Sequence, residues 1–191
     1  EFGVFQGKSI LHAFDRYQYF HDGTEYWKQI RFFAFDSFEG IPVPAGVDTK
    51  IEGFKGRECY CSEEEFRGNL ERGGFDMSKL HTIKGYYKDS LTDALYRDLN
   101  IRTASILHID CDLYESSIQA LDFCRPFVAN GTVVVFDDWF LFGGHPFCGQ
   151  QRAFQEWLEK YPELIATPYH LEGSFKNSFI LNHRDLENTA G

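Results

Sequence analysis

The 191-residue sequence predicts an α/β fold, a mostly parallel central sheet closed by a C-terminal antiparallel hairpin. Three observations carry that prediction. Strand-like apolar runs alternate with helix-like stretches along the whole chain, the pattern that builds parallel sheets. Two of the runs, 105–110 and 132–136, end in acids: Asp110 and Asp112 after the first, Asp137 and Asp138 after the second. Such β-branched runs read as strands buried on both faces, and open α/β sheets collect ligands at the carboxyl ends of their strands. Finally, Thr167 to Leu171 and Phe175 to Asn182 flank Glu172-Gly173-Ser174, the layout of a hairpin.

Taken in order, a glycine-bearing turn from Glu1 to Ser9 leads into a helix to about Tyr19, and the apolar run Ile30 to Phe35 ends in Asp36, completing a β-turn-α-β unit. Ser37 to Tyr60 carries six Gly and Pro residues (Gly40, Pro42, Pro44, Gly46, Gly53, Gly56) and reads as a long functional loop. Ser62, with Glu65 three residues on, forms a capping box that starts a charged helix. Leu80 to Tyr87 is a strand and Ser90 to Leu99 a helix. Ser105 to Asp110 is a strand, and Glu115 to Val128 a helix kinked or broken near Pro126. Asn130-Gly131 turns into the strand that ends at Phe136. After an aromatic, glycine-bearing loop, Trp139 to Gly149, comes the helix Gln151 to Tyr161 and then the hairpin. No internal repeat or low-complexity linker interrupts the series, so residues 1–191 read as one domain.

Composition narrows the function classes. A hydrophobic content of 43% with 17% aromatics is that of a globular chain. Twenty Phe exceed what a core of this size needs, which assigns some of them to a pocket or to self-association as a homo-oligomer. The net charge of -10 disfavours nucleic acid, whose phosphates are bound through clustered Lys and Arg. No apolar run approaches the roughly 18 residues of a spanning helix, and no leader precedes the fold, so no membrane partner is expected. Five cysteines, an odd number without C-x-x-C spacing, indicate neither a disulfide framework nor a zinc knuckle and fit a reduced, cytoplasmic setting. The start at Glu1, without an initiator Met, leads us to expect that an N-terminal segment is missing.

The acids carry the chemistry. Strand side chains alternate, so Asp110 and Asp112 share a face if the strand persists, with Cys111 turned away. Asp137 follows Asp110 by 27 residues, about one helix crossover, which sets the two strand ends side by side. Three or four carboxylates then converge, and hard oxygen ligands without His or Cys favour Mg²⁺ over Ca²⁺ or Mn²⁺ and disfavour zinc. The competing account is that these acids cap the helices that follow.

The first turn, Glu1-Phe2-Gly3-Val4-Phe5-Gln6-Gly7-Lys8-Ser9, admits two readings. Gly3-x-x-x-Gly7-Lys8-Ser9 is one residue short of a phosphate-binding loop, which with Asp137 and Asp138 would make an NTPase. Alternatively, Gly3 lets the backbone approach a nucleoside while Asp36 accepts hydrogen bonds from ribose hydroxyls. Elsewhere, His108 reads as a strand histidine satisfied by its neighbours, His145 beside Pro146 as an auxiliary to a base, and His170 and His183 as structural.

Taken together, Glu1-Phe2-Gly3-Val4 with Gly7 and Ser9, Phe35-Asp36-Ser37-Phe38-Glu39-Gly40, Lys84-Gly85-Tyr86-Tyr87 with Ser90-Leu91, Ile109 to Glu115, Phe136-Asp137-Asp138-Trp139, and Gly149 with Arg152-Ala153 resemble the macrocin O-methyltransferase-like (TylF-type) family. The likeness spans nearly the whole chain. It departs at Lys8, where a second Gly is usual, and in the N-terminal segment that should supply most of the first strand and a helical cap.

The resemblance implies a Rossmann-like class I methyltransferase fold, S-adenosylmethionine and Mg²⁺ as cofactors, and O-methylation of a sugar or other small-molecule or glycoside hydroxyl. It implies that Asp110, Asp137 and Asp138 hold Mg²⁺, that Asp112 is the general base, and that Glu1, Gly3, Gly7, Ser9, Asp36, Ser37, Tyr86 and Asp110 contact S-adenosylmethionine. Trp139, Phe140, Phe142 and Phe147 with Gly143-Gly144 then form a candidate lid. A binding module that keeps the fold without catalysis is the third reading, and the intact set of acids argues against it.

Overall fold

The computed structural model of the chain describes residues 1–50, 55–170 and 173–185, and these form two compact units. The first comprises residues 1–43 and 55–86. Helix α1, Lys8–His21, runs two residues past the expected end and stops where the Asp22 N–H bonds to the Gln18 carbonyl. A short helix that the sequence pattern does not announce, α2, Glu25–Gln29, is started by the Thr24 hydroxyl, which accepts from the Trp27 N–H. Strand β1, Phe32–Asp36, helix α3, Glu63–Arg72, and strand β2, Leu80–Lys84, complete the unit.

β1 and β2 pair in parallel, from Phe32 opposite Leu80 to Asp36 opposite Lys84. On the other side of β1 the segment Glu1–Gly3 runs parallel to it, with the Phe35 N–H bonded to the Glu1 carbonyl and the Gly3 N–H to the Phe35 carbonyl, both at 2.9 Å. This is the predicted β-turn-α-β unit. The Ser62 hydroxyl caps α3 by accepting from the Glu65 N–H at 3.2 Å, as its sequence signal predicts. β2 stops at Lys84, short of the expected Tyr87, because Gly85 turns away at φ +135. Much of the aromatic surplus resides here: Phe14 meets Phe75 at 4.4 Å and Trp27 at 5.5 Å between ring centres, packed with Phe38, Phe66 and Leu70. Burying each such side chain contributes about 1.5–3 kcal/mol.

The second unit joins the stretch from Pro44 to the chain from Tyr87 onward. The helix expected over 90–99 is two, α4, Tyr87–Ser90, and α5, Asp93–Leu99, because the Thr92 hydroxyl caps a fresh start by accepting from the Leu95 N–H. Strand β3, Ile106–Ile109, leads to helix α6, Tyr114–Cys124, which gives way near Pro126 to one 3₁₀ turn, Arg125–Phe127, as the proline predicts. Strand β4, Thr132–Phe136, helix α7, Gly149–Lys160, and strands β5, Leu164–Pro168, and β6, Asn177–His183, follow.

The sheet order is β3-β4-β6-β5, with β3 parallel to β4 and the other pairs antiparallel. The hairpin is therefore present but shifted. β5 starts at Leu164 and accommodates Pro168 because it is the edge strand, where a missing N–H costs least. Leu171 and Glu172, the predicted end of the first hairpin strand and start of its turn, lie outside the described residues. Phe136, Phe154 and Trp157 form the middle of the core between sheet and α7. All five cysteines are free thiols. Among the described residues no helix is long and apolar enough to cross a membrane.

Candidate active site

In the first unit the turn after Glu1–Gly3 is built around one carboxylate. Asp36, at the end of β1, accepts from the Val4 N–H (2.8 Å) and the Phe5 N–H (3.4 Å) on Oδ2, and from the Phe38 N–H (2.8 Å) on Oδ1. The Gly7 N–H closes the turn on the Val4 carbonyl at 2.7 Å. Ser9, in the first turn of α1, donates its hydroxyl to the Glu1 carboxylate. Glu1, Gly3, Ser9 and Asp36 are thus brought together as the sequence predicts.

Gly7 and Ser37 also have structural work in this turn. Gly7 has φ +82, and a Cβ there would stand 3.0 Å from Leu70 and the Phe66 ring, so it lets α1 start against α3. The Ser37 hydroxyl is buried and tied locally, donating to the Gly40 carbonyl at 2.9 Å and accepting from the Glu39 N–H at 3.0 Å. Tyr86 follows Gly85, whose N–H bonds to the Asp36 carbonyl at 2.9 Å, which brings that loop beside Asp36. A phosphate loop must present consecutive N–H groups to its ligand. Here those of Val4, Phe5 and Gly7 point at Asp36 and Val4, and the NTPase reading loses its basis.

In the second unit the strand ends deliver the acids. Ile109 lies opposite Phe136 in the β3–β4 ladder, and the Asp137 N–H continues it by bonding to the Ile109 carbonyl at 3.1 Å. Asp110, Asp137 and Asp138 consequently offer carboxylate oxygens all within 4.8 Å of one another. Asp112 stands outside that trio and is placed by a route that side-chain alternation does not describe. β3 ends at Ile109, and a three-residue turn closes at 2.6 Å from the Leu113 N–H to the Cys111 carbonyl, holding Asp112 at φ +54. A positive φ is uncommon on a non-glycine residue, and Asp is among those that adopt it most readily. Cys111 is turned inward as expected, against the Ser117 hydroxyl.

Electrostatics separate the acids further. The Asp138 carboxylate accepts from the Asp112 N–H (3.0 Å) and the Gln150 amide (3.2 Å). Burial, reinforced by the charges of Asp112 and Asp110, nevertheless pushes its carboxyl up to about 8. Asp137 moves the other way, held below the usual carboxylate range by His108 and then Lys176. None of the four acids caps a helix: Leu113 precedes α6 and Cys148 precedes α7, neither with a side-chain bond.

Two residues that the sequence reading missed hold this site. The fully buried Asp48 caps α6 directly after the Asp112 turn, accepting from the Tyr114 and Glu115 N–H groups at 3.1 Å each. Gln150, in the first turn of α7, laces the strand ends by donating to the Ile109 carbonyl and accepting from the Asp138 N–H, both at 3.0 Å. Arg152 braces the same region, bonding to Glu156 at 2.8 Å with its guanidinium over the Tyr114 ring.

Within the aromatic loop, Trp139 is an anchor, seated 5.0 Å from both Phe136 and Phe179, whereas Phe147 is exposed. Phe142 lies against Gly149. His108 is satisfied by Asp137 at 3.5 Å, His145 Nδ1 accepts from the Phe147 N–H at 3.2 Å, and His183 bonds to the Val128 carbonyl.

The fold is that of class I methyltransferases. The O-methyltransferase NovP superposes with a TM-score of 0.73 at 22% identity, covering 96% of this chain and 70% of NovP; CalS11, a calicheamicin methyltransferase, gives 0.71 at 19%, covering 94% and 70%. In sequence, the chain is 31% identical over 118 residues to 8-demethyl-8-(2,3-dimethoxy-alpha-L-rhamnosyl)-tetracenomycin-C 4'-O-methyltransferase of Streptomyces olivaceus, covering 57% of this chain and 42% of that protein. It is also 31% identical over 116 residues to demethyldecarbamoylnovobiocin O-methyltransferase of Streptomyces niveus, covering 56% and 40%. The chain matches about two fifths of the length of these curated relatives. The macrocin-O-methyltransferase (TylF) family model matches residues 1–159, and the chain belongs to that family.

Proposed function

We propose that this chain carries the catalytic machinery of a Mg²⁺-dependent, S-adenosylmethionine-dependent O-methyltransferase whose acceptor is a hydroxyl of a sugar or glycoside-like small molecule. The observation that carries the reading is the three-acid cluster at adjoining strand ends with Asp112 held beside it in a turn at φ +54. The relatives' names, one of them a rhamnosyl 4'-O-methyltransferase, support the acceptor class.

Asp110, Asp137 and Asp138 fit a hard divalent cation: all their donors are oxygens, and those oxygens lie within 4.8 Å of one another. When bound, such an ion supplies Lewis acidity that lowers the pKa of an acceptor hydroxyl. Asp112 would take the proton of the acceptor hydroxyl, and S-adenosylmethionine, when bound, would supply the methyl group that the oxygen accepts as the C–S bond is lost. Glu1, Ser9 and Asp36 serve the cofactor, and the remaining work is alignment and exclusion of water. Calorimetry with S-adenosylhomocysteine, followed by mass spectrometry of hydroxylated glycosides incubated with S-adenosylmethionine and Mg²⁺, tests the proposal. No binding at millimolar ligand would refute it.

A pH dependence follows from Asp138. Its carboxyl holds a proton more tightly folded than unfolded, so its contribution to the stability of the metal-free chain is lost as pH rises from about 4 to about 8, opposed below about pH 6.5 by His81, whose pKa burial lowers. The depressed Asp137 acts oppositely, its contribution being lost only as pH falls through the ordinary carboxylate range, so it is silent in most of that window. Thermal melts without metal should show the melting temperature dropping between about pH 6.5 and 8. Mg²⁺ should restore more at the upper end, where no proton has to leave. Asp138→Asn should flatten the slope, and a melting temperature that climbs across that window would contradict the assignment.

A further inference from the structure

We infer that Lys176 is a built-in competitor of the divalent cation, a resident positive charge that the metal must displace. The inference rests on the metal reading of Asp110, Asp137 and Asp138 proposed above. The antiparallel register sets Asn177 of β6 opposite Phe136 of β4, so the next residue outward on each strand is Lys176 and Asp137. The Lys176 ammonium lies 2.5 Å from Asp137 Oδ1, and His108 Nε2 approaches the same oxygen at 3.5 Å. That carboxylate belongs to the cluster whose oxygens converge within 4.8 Å. The carboxylate that would face a metal therefore already has an ammonium on one of its two oxygens, so the two cations would share one small site.

Geometry makes the ammonium displaceable. Its side chain is 42% exposed, against 24% for Asp137, so it can swing into water without stranding a buried charge. The carbonyl of the neighbouring Phe175 accepts from the Phe140 N–H at 3.0 Å, which couples the lysine's segment to the aromatic loop after Asp138. An ion pair so exposed contributes little to folding. Its effect on a dication a few ångströms away is larger, because a like charge at that range opposes binding by a factor of about ten in a partly aqueous setting. A merely structural Lys176 would act in the other direction: without it Asp137 would be less well held and metal binding would weaken.

Calorimetric titration of Mg²⁺ into the full chain decides between these, using wild type, Lys176→Met and Lys176→Arg, with melting temperatures and circular dichroism to confirm folding. We expect Lys176→Met to bind Mg²⁺ about tenfold more tightly than wild type, and Lys176→Arg, which keeps the charge, to stay within about twofold of it. Uptake by Lys176→Met alone is the same result in stronger form. Equal or weaker binding by a folded Lys176→Met overturns the inference and leaves the metal reading standing. Binding by none of the three overturns both.

Discussion

Asp112→Asn is expected to lower kcat for methyl transfer by about 10²- to 10⁴-fold, the range that a positioned general base contributes, while S-adenosylhomocysteine binds within about twofold of wild type. The substitution is selective because of the backbone. Asp112 sits at φ +54, a region that Asn tolerates about as well as Asp, so the turn closed by Leu113 and Cys111 survives. The bond from its N–H to Asp138 survives too, since it involves the main chain. What disappears is one proton acceptor and one negative charge. The lost charge should also let the Asp138 carboxyl move back toward its ordinary value, because Asp112 is among the groups that raise it. Asp112→Ala separates chemistry from strain: it removes the same acceptor but costs about 1–2 kcal/mol in the left-handed backbone, so it should melt earlier than the Asn variant. Turnover by Asp112→Asn above about a third of wild type would assign the base elsewhere.

What the sequence made legible was periodicity and spacing; what it hid was contact between distant segments. The strands before Asp36, Asp110 and Asp137 follow from apolar runs, and the 27-residue separation predicted that the latter two strand ends adjoin. The same reasoning placed Asp112 by continuing the strand, which ends earlier, and Asp112 instead meets Asp138 through its main-chain N–H from a turn at φ +54. Asp48 had no local signal at all, because its partners lie 66 and 67 residues away. Gln150 resembled any polar residue opening a helix until the strand ends it bridges were in place. Gly7 shows a second constraint that the turn alone did not announce: its missing Cβ lets Leu70 and Phe66 pack against it.

Gly40→Ala is expected to be the most damaging single methyl in the first unit, lowering stability by about 2–4 kcal/mol and the melting temperature by roughly 5–15 °C. Two costs combine. Gly40 has φ +87, which charges any L side chain about 1–2 kcal/mol. The added carbon would also stand 2.7 Å from the Glu58 carbonyl oxygen and 2.8 Å from Arg57 Cα and its carbonyl carbon, all main-chain atoms. These atoms cannot rotate away, because Ile41 and the returning segment are bonded both ways: Ile41 N–H to Glu58 carbonyl at 2.9 Å and Arg57 N–H to Ile41 carbonyl at 2.7 Å. Relief requires breaking that pair, and with it the Gly40 carbonyl that anchors the Ser37 hydroxyl one residue from Asp36. Cofactor affinity should therefore fall with stability, although Gly40 itself need not touch the cofactor. Gly74→Ala isolates the backbone cost, since Gly74 has φ +82 with nothing within 4 Å of the added carbon. If the two variants melt together, the conformation alone selects glycine at position 40; a gap of several degrees assigns the excess to the close passage of Arg57 and Glu58, and makes the Asp36-Ser37-Phe38-Glu39-Gly40 motif a packing device as much as a binding one.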